Sequence, residues 1–255
     1  MNIKYLGTIL VCVLLAFFFL RRTSGKPQKV FIQAFAESAM FSSIIKHVTP
    51  VVNSIVKQEL GLEEADQSEF FVPKKEQRVT LYEVAQLHEH GFKKLFEVIN
   101  NSQDSFDRLV QASVQIIPHV NFCGRAMHDE LIVMVNDADG TLAHLNQELK
   151  ESMNRASSDY KMVRKTHLYD IKKSEQHAYA PHMSIGRIRS VLIKQKMKDP
   201  SSFEVVFKRI QERIIKAATD IVQATLVEQS ATINFVSVCI FDLETRQCLE
   251  KYPLY

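Results

Sequence analysis

The run Pro181-His182-Met183-Ser184-Ile185-Gly186-Arg187 brings a histidine, a serine and an arginine close together. Successive side chains of a β-strand point to opposite faces, so residues i and i+2 share one. A strand here turns His182 and Ser184 into the same cleft and leaves Arg187 near its end. An imidazole moves a proton near neutral pH, a hydroxyl holds a phosphate oxygen, and a guanidinium neutralises its charge. Together they suit chemistry at a phosphate ester. The triplet alone is not specific, because a His-x-Ser/Thr spacing arises by chance about once in a chain of this size. A strand with a satisfied polar pair is the competing interpretation.

The surrounding elements must hold that strand in place. Residues 30–35 read as an opening strand, followed by a helical stripe of Phe41, Ile44, Val48, Val52, Ile55 and Val56 with a kink at Pro50 and an end at Gly61. An acidic loop over 62–69 leads to extended segments at 70–72 and 78–84, then to a helix carrying Phe92, Leu95, Phe96 and Ile99. A second helical stretch is expected over 105–114, with strands at 116–122 and 130–135. Leu142, Leu145, Leu149 and Met153 form one helical stripe, and the polar residues 154–178 read as a broken loop. After the His182 strand, Ser201 and Glu204 form a capping box for a helix through Phe207, Ile210 and Ile214. Strands at 233–241 and 247–252 close the chain. Strands and helices neither alternate strictly nor segregate, which implies an α+β protein of mainly antiparallel sheet.

Composition narrows the function. Residues 1–29 hold five basic and no acidic side chains, so the remainder carries 27 basic against 29 acidic. That balance excludes the broad cationic footprint of a duplex-wrapping protein. Residues 5–20 are almost wholly apolar and lack a small-residue cleavage site, so an uncleaved membrane anchor is expected there, with a linker to residue 28 and one domain over 29–255. The basic residues after residue 20 favour the cytosolic face; exported domains begin the same way, so the side stays open. The four cysteines show no zinc spacing. Cys239 and Cys248 are expected to be two free buried thiols, with a disulfide as the alternative in an oxidising compartment.

On its Pro-His-apolar-Ser-apolar-Gly-Arg run, the chain resembles the 2H phosphoesterase superfamily, which includes the 2′-5′ RNA ligase-like cyclic phosphodiesterases. The resemblance covers residues 29–255 and implies two pseudo-symmetric lobes of mainly antiparallel sheet, flanked by helices around a central cleft. Each lobe of such a protein offers a His-x-Thr/Ser motif. Where the first motif belongs stands Gln77-Arg78-Val79-Thr80-Leu81, with arginine at the histidine position. The resemblance implies that His182 transfers a proton, that Ser184 and Thr80 hold non-bridging oxygens, and that Arg78 and Arg187 bind the phosphate. It implies no metal and no cofactor. The ligand class is a nucleotide or RNA end carrying a phosphodiester or 2′,3′-cyclic phosphate. Arginine cannot exchange a proton at neutral pH, so hydrolysis and a non-catalytic module binding nucleotide, RNA end or protein both stay open. His47-Val48-Thr49 and His119-Val120-Asn121 are the weaker candidates for a first motif.

Overall fold

The computed structural model of the protein describes residues 28–63, 65–87, 89–123, 128–160, 179–242, 245 and 247–254. Its elements run β1 Gln28–Glu37, α1 Ala39–Leu60, β2 Phe71–Pro73, β3 Arg78–Leu87, α2 Glu89–Asn100 and α3 Gln103–Phe106. They continue with β4 Val114–Cys123, β5 Glu130–Asp137, α4 Thr141–Tyr160, β6 His182–Ile188, α5 Ser190–Lys196, α6 Phe203–Glu228, β7 Asn234–Asp242 and β8 Gln247–Pro253.

All pairings within the sheet are antiparallel, in the order β4-β5-β6-β3-β1-β7-β8, with β2 added to β6. The sheet divides into two halves of four strands. One is β3-β1-β7-β8, the other β4-β5-β6-β2; among the described residues β3 and β6 pair at Val79 and Met183, and Gln115 of β4 is bridged to Thr232 just before β7. These are the two lobes. One edge of β6 serves both: Met183 pairs with β3, and residues 186–188 pair with β2.

Alternation sets the faces. On β1, Val30, Ile32 and Ala34 are fully buried beneath helices, while Phe31, Gln33 and Phe35 look to the other side. Val79 and Leu81 on β3 and Val238 and Ile240 on β7 continue the buried row. Helices α1 and α6 pack on each other and reach β2, β6 and β4 of the second lobe; α4 packs on α2 and reaches β3 and β5. Helix α1 begins where the Ser38 hydroxyl accepts from the Phe41 amide, runs through Pro50, and stops at Gly61 with φ 61°. That left-handed cap is where glycine costs least.

Several expectations are corrected. The helix α4 runs to Tyr160 rather than breaking at 154, since no Gly or Pro falls between 141 and 160. The helical stretch over 105–114 divides into α3 and a 3-10 turn, Asp107–Gln111, before β4 begins. The capping box does not form: Asp199 accepts from the Ser201 amide and hydroxyl, opening a 3-10 turn, Pro200–Ser202, ahead of α6. Helix α5 was not expected. Cys239 and Cys248 are joined, with Cα atoms 6.0 Å apart. A register shift between Ile240 and Phe241 sets Cys248 opposite Phe241, on the face that Cys239 shares.

The membrane-associated localisation is corrected as well. No helix among the described residues is long and apolar enough to cross a membrane. Residues 5–20, on which that expectation rested, lie outside the described residues.

Gly186 is a tight point of this packing. A Cβ there would lie 2.3 Å from Phe71 Cζ and 2.7 Å from the Val72 carbonyl oxygen. Gly186→Ala is expected to lower stability by about 1–3 kcal/mol in urea unfolding. An unchanged midpoint would show that β2 is not clamped on β6 as described.

Candidate functional site

The pairing of Val79 with Met183 decides what faces what. Carried one residue either way, the antiparallel register sets Arg78 across from Ser184 and Thr80 across from His182. The four polar side chains therefore share the face opposite the helices. Tyr179 reinforces this junction: its hydroxyl donates to the Thr80 carbonyl oxygen at 3.0 Å, tying β3 to the segment before β6. Burial pushes the Tyr179 phenol up, so it stays a donor.

Arg187 joins them through a bulge. It lies three positions beyond Ser184, an odd offset that would place the two on opposite faces of a regular strand. In the β5–β6 ladder, Glu130 faces Arg187, Leu131 faces Gly186 and Ile132 faces Ser184, leaving Ile185 as an extra residue. The bulge returns Arg187 to the cleft face and sends Gly186 and Ile188 inward against Phe71.

The His182 ring is oriented by its own strand end. Its Nδ1 lies 3.0 Å from the Ala180 carbonyl oxygen and donates its proton there, which in the neutral ring leaves the lone pair on Nε2. On β3, Thr80 Oγ1 accepts from Gln33 Nε2 at 3.1 Å. Gln33 is only 6% exposed, and its Oε1 has no hydrogen-bond partner among the described residues.

Arg78 occupies the place of a first histidine but leans away from β6. Its guanidinium sits over the Phe241 ring at 4.1 Å, across β1 on β7. Nη1 lies 3.0 Å from Glu76 Oε2 in an ion pair, and it is buried without a hydrogen bond among the described residues. Burial pulls the guanidinium below its ordinary value against the opposing charges of Glu76 and Glu130. It remains a cation nonetheless and cannot serve as acid or base.

The residue that the sequence reading missed is Glu130. Ser184 Oγ donates to Glu130 Oε1 at 2.5 Å. Lys74 Nζ lies 3.7 Å from the same oxygen, and Arg187 Nη2 lies 3.6 Å from Oε2, with its Nε 3.7 Å from Asp129. Burial works to raise the Glu130 carboxyl, but the Ser184 hydrogen bond and the charges of Lys74 and Arg187 outweigh it and hold the carboxyl below its ordinary range. Glu130 is thus an anion at neutral pH, set where a phosphate would seek the same three donors. Opposite it on β4, the Cys123 thiol is pushed up to about 11 by burial and by Glu130, which leaves it un-ionised.

The other histidine candidates stand elsewhere. His47 lies on the exposed side of α1 near Ser43, and His119 is exposed on β4. His88, His167 and His177 lie outside the described residues. Among the described residues, no three His, Cys, Asp or Glu side chains converge to hold a metal ion.

No protein-family model and no curated protein matches the chain. Solved structures do. Usb1 of Kluyveromyces marxianus superposes with a TM-score of 0.54 at 13% identity, over 89% of this chain and 99% of that one. The same protein with uridine monophosphate gives 0.51 over the same shares, also at 13% identity. At that identity the likeness speaks for the fold.

A phosphate placed among Ser184, Lys74 and Arg187 would meet the charge of Glu130, so Glu130→Gln is expected to tighten binding of inorganic phosphate about three- to tenfold, read by titration calorimetry. Weaker binding in the variant would show that Glu130 supports the ligand instead of excluding it.

Proposed function

We propose that this chain, whose fold is that of the 2H phosphoesterase superfamily, binds a nucleotide phosphoester in the cleft and cleaves a phosphodiester or 2′,3′-cyclic phosphate slowly, with a single histidine. The observation that carries this reading is the register at Val79 and Met183, which turns Arg78, Thr80, His182 and Ser184 to one face. The solved relative that holds uridine monophosphate supports the ligand class.

The parts divide as follows. Arg78 and Arg187 offset the charge of the phosphate, and Thr80 and Ser184 offer hydroxyls to its non-bridging oxygens. The lone pair on His182 Nε2 takes a proton from the attacking water as its oxygen bonds to phosphorus. The bond from phosphorus to the ribose oxygen breaks, and that oxygen takes its proton from solvent. A second histidine would supply this proton from within the site; arginine at position 78 cannot, which is why the turnover is slow.

A second reading has its own support. Arg78 carries no transferable proton, and the Ser184 proton is committed to Glu130. Both suit a module that binds a nucleotide or RNA end without cleaving it.

Turnover of 2′,3′-cyclic uridine monophosphate by the full chain separates the two. His182→Ala is expected to cut the rate at least a hundredfold, and Arg78→His to raise it. No turnover in the wild type or in Arg78→His, with uridine monophosphate binding that still depends on Arg78, would sink the enzymatic reading and leave the binding module.

A further inference from the structure

Beside the cleft, a cavity of about 650 Å³ opens along the β2–β6 edge. Its walls are of two kinds. Val72, Pro73, Val191 and Leu192 give it an apolar floor, and Val72 and Val191 are 41% and 69% exposed. Lys74, Lys75, Arg187 and Arg189 give it four cations against the carboxylate of Asp129. The cavity is continuous with the site, because Lys74 and Arg187 belong to both: each reaches Glu130, which holds Ser184. The bulge at Ile185 creates this continuity by keeping Arg187 on the cleft face, opposite Val72.

The four cations are not equivalent. Lys74 and Arg187 are spoken for by Glu130 and Asp129. Lys75 and Arg189 are exposed and make no ion pair or side-chain hydrogen bond among the described residues. Two uncompensated cations beyond the paired ones, in a domain whose overall balance is slightly acidic, mark a local demand for a second anionic group. Inorganic phosphate alone would leave the apolar floor unused. A ligand with an anion and a flat apolar face fills both.

Resting on the reading of the cleft given above, we propose that this cavity is a subsite for the nucleotide next to the reacting phosphate, so that the ligand is a single-stranded oligonucleotide rather than a mononucleotide. The neighbouring phosphate lies on Lys75 and Arg189, and its base lies against Val72 and Val191. Apolar contact with a base face is tolerant of sequence, so the subsite selects for chain length and not for base identity.

The test is binding, which does not depend on turnover. Fluorescence anisotropy would compare a labelled single-stranded pentanucleotide with uridine monophosphate as its competitor, on the full chain. The wild type is expected to hold the pentanucleotide at least tenfold more tightly. The double variant Lys75→Glu/Arg189→Glu is expected to lose that advantage while its affinity for uridine monophosphate stays within about twofold. The slope of log affinity against log salt for the pentanucleotide should fall by about 0.7, the share of one phosphate on a single strand. A double variant that keeps the advantage overturns the subsite. So does a wild type that binds the two ligands equally, an outcome that leaves the cleft reading intact. If the wild type binds neither, the cleft reading falls and the subsite with it. A phosphopeptide held in preference to the pentanucleotide, and lost in the double variant, would reassign the cavity and overturn the proposal.

Discussion

Among the described residues, β3 and β6 of the two half-sheets pair at one point, Val79 and Met183, both fully buried, while Gln115 of β4 is bridged to Thr232 just before β7. Strands that pair at a single point diverge on either side of it, and the space between them is the cleft. The same pair fixes registry. A slip by one residue would turn every side chain of β6 to the other face, burying His182 and Ser184 and exposing Met183 and Ile185. The apolar back of the sheet makes such a slip costly, so the core enforces the site's geometry. Tyr179, donating across the junction to the Thr80 carbonyl, adds a polar lock beside the hydrophobic one.

Within that frame the electrostatics are divided. One wall carries Arg78 and Thr80, held by Phe241, Glu76 and Gln33. The other carries His182, Ser184 and Arg187, and the last two converge on Glu130. An anionic ligand meets cations that already have partners on both walls. Its binding must therefore replace existing contacts with better ones, which favours ligands with several anchoring groups over small ions.

The fold was largely legible in the chain. The strands announce themselves by alternation, as in Val30, Ile32 and Ala34, and α1 and α6 by apolar stripes bounded by caps or turns. His182 and Ser184 were legible because their spacing is local and strand periodicity acts on it directly. Glu130 was not. It opens an ordinary apolar strand, and only the register between β5 and β6 brings it to Ser184. The bulge at Ile185 leaves no mark in residue type, so the spacing of Ser184 and Arg187 gave no hint that they share a face. The Cys239–Cys248 link was legible only as the alternative to two free thiols, and the observed register sets Cys248 opposite Phe241 on the face that Cys239 shares. What failed to show was in each case a relation between strands, set by backbone pairing rather than by any residue alone.

The route of the chain through the sheet has a consequence for its synthesis. Strand β1 lies between β3 and β7, and β7 is made long after it. While the ribosome is still adding residues 88–233, one edge of β1 has no partner. That edge carries Phe31 and Phe35 on one face and Val30 and Ile32 on the other, the kind of open apolar strand that seeks any neighbour at hand. In the nascent chain that edge stays open to other strands until the closing hairpin arrives and takes its place.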